Sequence, residues 1–360
     1  RFFFINMTFK FCMYYLSRLY SFFCILSLII FFFSTTEVRA KSFEINNIEI
    51  SKPFKSNFDK NKVIDSGFEK AFLQLIYKLI KSTDYEKLES IKLNQIKSMI
   101  ETFSIQEEKF VNQEYFLKLG VSFNKKKIFS YLEKRNIYPS QIKKEKFLFI
   151  PVIIDEDINN LIIFSNNPIY DNWNKDVKTY ELINYLLPSE DLEDYNLIKA
   201  NLDNLETYDF SEITKKYFLD NYIISLIFRG KSETRVLSKI YNEKNEIIKN
   251  NSFKNLDLNN VEDLIFFRDS LKNLFEDTWK KINEINTSIK LSIKIKIKND
   301  DLKKSNRFES DLIDIDLVND FSVQKFNKDF IFYEILFNGT IQNFINIMKN
   351  KNYNFNTKKK

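Results

Sequence analysis

Whatever chemistry this sequence performs falls to serine, lysine, tyrosine and carboxylate side chains. No residue is histidine, and the two cysteines, Cys12 and Cys24, both stand near the N-terminus. Nucleophiles that need an imidazole base are therefore excluded, as are histidine metal sites and, past residue 24, thiolate zinc and iron–sulfur ligation. The four glycines, Gly67, Gly120, Gly230 and Gly339, lie too far apart for a phosphate-cradling loop or a dinucleotide fingerprint. Ser122 with Lys125, and Ser140 with Lys143, have the Ser-x-x-Lys spacing of some acyl enzymes, but the motifs that accompany it there are missing. Two acid clusters remain, Asp155-Glu156-Asp157 and Glu190-Asp191-Leu192-Glu193-Asp194. Paired acids can hydrolyse a glycosidic bond or hold a divalent cation, with Asp191 and Asp194 the candidates. The plainer reading is structural. The first cluster follows an apolar strand as a turn, and the second opens a helix, whose N-terminal dipole favours negative charge. No catalytic residue, cofactor or metal is assigned.

The two tryptophans differ in setting. Trp279 stands among apolar neighbours at helical spacing and reads as core. Trp173 closes the polar stretch Asn166-Asn167-Pro168-Ile169-Tyr170-Asp171-Asn172-Trp173. An exposed ring in such a loop usually has a partner, so two readings stand: packing on its own domain, or contact with another protein.

The elements that must position these residues follow a leader. Residues 19–33 are apolar without a charge, Lys10 and Arg18 precede them, and Val38-Arg39-Ala40 fits a cleavage site. Residues 1–40 are thus read as a signal peptide cut after Ala40, with Met7 or Met13 as the start and a periplasmic destination. The alternative is an uncleaved membrane anchor. Loss of the leader removes both cysteines and lowers the formal charge from +6 to +3. So small a surplus gives nucleic-acid binding little support, and contact with membrane is expected only through an uncleaved leader.

Composition favours regular elements in the remainder: 38 Phe and 18 Tyr stand against 4 Gly and 5 Pro. Residues 41–143 read as β-α-α-β-β-α, with helices over 63–82, 88–101 and 124–135. Residues 146–285 read as a central α/β domain. KFLFIPVII (146–154) and YIISLIFR (222–229) are its buried strands, helices cover 176–186, 191–203 and 211–219, and a long helix runs from Asn260 to Ile285. Residues 286–360 read as β-α-β-β-α. There the run Ser288–Lys298 alternates Ile or Leu with Lys or Ser, the period of a half-exposed strand. Phe123-Asn124 and Phe337-Asn338 each end a strand before a helix, and Arg135-Asn136-Ile137-Tyr138 and Lys351-Asn352-Tyr353 follow those helices. The match needs a two-residue gap and suggests a duplicated domain. The expected fold class is α/β (α+β), with small β-α-β-β-α sandwich domains flanking a central mixed-sheet domain.

Taken in order, several stretches resemble an exported bacterial family catalogued as domain of unknown function 2066. They are EYFLKLGVSFNKKKIFSYLEKRNI, KFLFIPVII, SNNPIYDNWNK, LLPSEDLEDYNLI, DNYIISLIF and the helix end FEDTWKK. The resemblance implies that Asn167, Trp173, Pro188, Asp191 and Asp194 stand at motif positions, with Glu190 where the family pattern has Gly. The central block is also similar to the small α/β domains of periplasmic accessory proteins. Together these imply a non-enzymatic envelope protein that docks other envelope proteins. A carboxylate-based periplasmic hydrolase is the alternative.

Overall fold

The computed structural model describes residues 43–55, 57–88, 91–242 and 245–356. The leader, its cleavage site and both cysteines lie outside them. Helices and strands mix throughout the described residues, in the α/β (α+β) class, and the described strands form three sheets. The first holds β1 (Glu44–Pro53), β2 (Ile100–Val111) and β3 (Glu114–Phe123), backed by α1 (Lys60–Leu79), α2 (Leu93–Met99) and α3 (Lys125–Glu133). The helix expected over 88–101 is thus shorter. A 3-10 segment occupies Ser82–Leu88, and the chain has already turned into β2 at Ile100.

The central sheet contains β4 (Glu145–Asp155), β5 (Asn160–Ile162), β6 (Ile183–Leu186), β7 (Tyr222–Arg229), β8 (Glu233–Asn242) and β9 (Asn245–Lys254). Its path is β5-β4-β7-β8-β9, with β6 pairing parallel to β4. Phe147, Phe149 and Ile153 pack on one face under α7 (Val261–Ile282). Leu148, Ile150, Val152 and Ile154 pack on the other, with Ile198 of α5 (Leu192–Ala200) and Ile213 of α6 (Ser211–Thr214). Burial on both faces explains why β4 is apolar at consecutive positions. The short helix α4 (Pro168–Asn172) precedes β6.

The helix expected over 176–186 is a correction. The chain there turns and then extends as β6. Leu182, Ile183, Tyr185 and Leu186 fit either period, and Pro188 biases its predecessor toward extended backbone. Pairing with β4 decides the matter.

The last sheet holds β10 (Leu291–Lys298), β11 (Val318–Phe326) and β12 (Phe330–Phe337), with α8 (Leu302–Ile313) and α9 (Ile341–Asn350). Its strand order, β10-β12-β11, repeats the β1-β3-β2 order of the first sheet, and every pairing in both is antiparallel. The helices after β3 and β12 match in detail. Asn124 caps α3 by accepting from the Lys127 amide, and Thr340 caps α9 by accepting from the Asn343 amide. At the far ends Asn136 and Asn352 take left-handed φ of 55° and 68°. Ile137 and Tyr353 then donate back to Leu132 and Met348 at 3.1 and 2.9 Å, the same helix-terminating bond. The two-residue gap is Asn338-Gly339, inserted ahead of the Thr340 cap.

Flanking the central sheet along the chain, the two small sheets share one hydrophobic core in space, from Phe72 and Leu119 to Phe308 and Ile335. Lys125 donates to the Ile315 carbonyl at 3.0 Å across the join. The connections to the central sheet run side by side: Gln141 donates to Asn283 at 2.9 Å and Ile285 to Pro139 at 2.7 Å. The described left-handed turns are filled mostly by asparagine and not by glycine. Among the described residues, six of the ten non-glycine residues with positive φ are Asn. Gly67 serves close approach instead, since a Cβ there would collide with Leu119 of β3. Among the described residues no helix is long and apolar enough to cross a membrane.

Candidate functional site

Four of the five motif positions gather at the edge of β4. That edge is paired by β6 over 145–148 and by β5 over 153–155, which leaves a gap around Pro151. Proline has no N–H to offer a neighbouring strand, so an unpaired stretch is where it fits. Asn167, wholly buried, fills the gap: its Nδ2 donates to the Pro151 carbonyl at 3.1 Å, and its Oδ1 accepts from the Ile169 amide at 2.9 Å, capping α4. Tyr170 of α4 donates its hydroxyl proton to the Pro188 carbonyl at 2.6 Å.

Asp191 is the N-cap of α5, accepting from Glu193 at 2.8 Å, and Asp194 follows in the first turn. Lys216 joins them, with Nζ 2.7 Å from Asp194 Oδ1 and 3.3 Å from Asp191 Oδ2. Asp194 and then Asp191 hold the Lys216 ammonium above the usual lysine range. Asp194 is only 1% exposed, and its Oδ2 has no hydrogen-bond partner. Beside it lies a cavity of about 10 Å³ walled by Pro151, Tyr170, Pro188 and apolar side chains. That volume suits one water molecule, not a sugar. The acids therefore clamp a lysine and start a helix. The turn before them needs no glycine, because Glu190 has no positive φ, and its carboxylate accepts from Ser165 at 3.1 Å.

Replacing Lys216 with Met should speed amide hydrogen exchange across 192–200, whereas Asp157→Asn should leave it unchanged. Equal protection in the Lys216 variant would show that the clamp does not hold α5. The first acid cluster is structural too. Asp155 receives the Arg229 guanidinium, which holds its carboxyl below the usual aspartate range, and accepts from the Asp157 and Ile158 amides.

Trp173 goes to the opposite face of the sheet, and partner contact through its ring is overturned. Its exposure is 0%, and it stacks on Phe149 at 3.9 Å with Tyr185 at 5.3 Å. The polar neighbours Asn172 and Asn174 spend their side chains on the Pro168 and Tyr185 carbonyls, which lets the ring turn inward.

A row of buried charges on α7 went unread in the sequence. Arg268, Lys272, Glu276 and Lys280 stand four apart, hence on one side of the helix, and all are buried. Each grips another segment. Arg268 donates to the Asn172 carbonyl at 3.3 Å, and Lys272 pairs with the half-buried Glu181 at 3.4 Å. Glu276 accepts from the Leu182 and Ile183 amides at 2.9 and 2.8 Å, and Lys280 donates to the Tyr77 carbonyl at 2.6 Å. Burial pushes the Glu276 carboxyl up and the Lys272 and Lys280 ammonium groups down. The four-residue spacing was the available signal, but such a stripe more often faces water. Beside β6 an open cleft of about 580 Å³ is lined by Lys144, Lys146, Asn174, Lys178, Glu181 and Asn184. Among the described residues no three Asp or Glu side chains converge as metal ligands.

A group of accessible apolar side chains lies elsewhere, on the edge strand β2. All of its residues after Ile100 are exposed. Phe103, Ile105, Phe110 and Val111 are 41–56% exposed, and Phe54 and Phe58 extend the patch, with Phe54 edge-on to Phe110 at 4.7 Å. A second, smaller apolar point is Phe218, 95% exposed in a left-handed conformation two residues from Lys216. No protein-family model matches the chain, and no curated protein matches it.

Proposed function

We propose that this chain is an exported, non-catalytic accessory protein of the cell envelope that docks another protein along β2. The observation that carries the reading is the open edge itself: a strand of 12 residues whose outer backbone edge, among the described residues, pairs with no other strand, and which exposes large apolar side chains. Soluble proteins usually shorten or cover such an edge, because it is a template for another strand. The occupant that suits it is an extended segment of a partner protein with apolar side chains at alternate positions. Its backbone would continue the β1-β3-β2 sheet, and its side chains would meet Phe103, Ile105 and Phe110. The envelope address is supported by the sequence of the leader, residues 1–40, and by the resemblance to the exported family. The hydrolase reading has less behind it, since Asp191 and Asp194 are spent on Lys216.

The double variant Phe103→Lys/Phe110→Lys tests it. Both side chains are exposed, so the fold should be retained, with circular dichroism unchanged. Co-purification of the partner identified with the wild-type chain should fall at least tenfold, since an aromatic hot spot at an interface carries about 2 kcal/mol or more. Undiminished recovery by the folded variant would contradict docking at β2.

A further inference from the structure

We propose that the outer face of the β10-β12-β11 sheet is a docking surface for an anionic phospholipid membrane. The register puts Lys294, Lys296 and Lys298 of β10 opposite Glu334, Phe332 and Phe330 of β12, with Lys325 of β11 opposite Phe332 on the other side. Directly opposed residues point to the same face. Ile293 and Ile295 fill the core behind, so these four lysines and two rings share the side away from the helices. All four lysines are exposed, and among the described residues none is held in an ion pair. Of the acids on this face, Asp320 is neutralised by Lys126 at 2.5 Å, whereas Glu334, which accepts from Ser292 at 2.6 Å, keeps its charge, and the four lysines leave a net positive surplus.

The chemistry favours lipid headgroups over other polyanions. Single-stranded nucleic acid needs open ring faces for its bases to stack on. Here the Lys296 ammonium sits 3.5 Å from the Phe330 centroid and 5.7 Å from that of Phe332, covering both half-buried rings. An acidic peptide is best held by fixed forks of donors, which arginine supplies and lysine does not. Compact ammonium charges on flexible stems suit a mobile array of phosphates. The proposal does not depend on β2, which belongs to the other small sheet.

Sedimentation of the full chain with vesicles of phosphatidylcholine alone, and of phosphatidylcholine mixed with phosphatidylglycerol, provides the test. The apolar run at 19–33 can bind either vesicle, so the readout is the extra affinity that phosphatidylglycerol confers. That excess should fall roughly a thousandfold in Lys294→Gln/Lys296→Gln/Lys298→Gln/Lys325→Gln. It should survive in a control that removes as much charge elsewhere, Lys52→Gln/Lys55→Gln/Lys62→Gln/Lys231→Gln. With the wild-type chain it should fade as salt rises, a measurement independent of how the variants fold. No phosphatidylglycerol-dependent excess in the wild type, or an equal loss in the control, would overturn the proposal. So would tighter binding of polyglutamate or a single-stranded oligonucleotide through the same lysines.

Discussion

Glu276→Ala should lower the stability of the chain by about 3–5 kcal/mol. The carboxylate is buried in α7 and is the acceptor for two amides, those of Leu182 and Ile183, at the start of β6. Each buried donor left unpaired costs about 1–3 kcal/mol. Lys280, one turn along and also buried, would lose the opposite charge that favours its ionised form. Urea denaturation followed by tryptophan fluorescence measures the loss, and a midpoint within error of the wild type would contradict the clamp. Glu276→Gln keeps one acceptor and should cost less, but it also removes a titration. Burial holds this carboxyl above the ordinary glutamate value of 4.5, so the folded chain takes up its proton more readily than the unfolded one. The stability gained is complete below 4.5 and is lost as pH rises through the elevated value. The difference between wild type and Glu276→Gln should therefore shift toward the glutamine variant across that window. A difference independent of pH would show that the carboxyl is not held in a buried site.

Trp173→Ala should cost about as much, 3–5 kcal/mol, for a different reason. A large ring with no exposure is deleted from between Phe149, Tyr185 and Phe275, and the β4, β6 and α7 side chains around it cannot all collapse into the void. Trp173→Phe should be much milder, because the indole Nε1 has no hydrogen-bond partner and only volume is lost. A surface tryptophan in a docking loop would behave oppositely, with both substitutions within about 0.5 kcal/mol of wild type. Thermal unfolding of the two variants separates these cases.

What the sequence reveals is what its own neighbours decide. The strict alternation of β10, the unbroken apolar run of β4 and the amphipathic stripe of α7 are local patterns, and each becomes the element its period predicts. The repeat of strand order and helix ends in the two small units is legible for the same reason, since a capping Asn or Thr and a left-handed Asn bracket the last helix of each unit. The acid cluster at 190–194 declares itself as a helix start, but the lysine that neutralises it lies 22 residues downstream of Asp194 and carries no mark of that role. Segment 176–186 and Trp173 are misread because their structure is imposed from afar. The acceptor for the first amides of β6 is 94 residues away, and the ring of Trp173 enters a core built by β4 and α7. Likewise, β2 is recognisable as a strand, whereas its position at an edge follows from sheet order, which no local pattern encodes.

The docking account is tested most directly by photo-crosslinking in intact cells, comparing a probe at Phe110 with one at Phe218. Both positions are exposed aromatics, but Phe110 lies on the β2 patch and Phe218 beside the Asp191–Asp194–Lys216 clamp. The account predicts a discrete adduct with one envelope protein from position 110, lost in the presence of Phe103→Lys, and none from position 218. An adduct from position 218 with none from position 110 would contradict it and move the working surface to the motif residues.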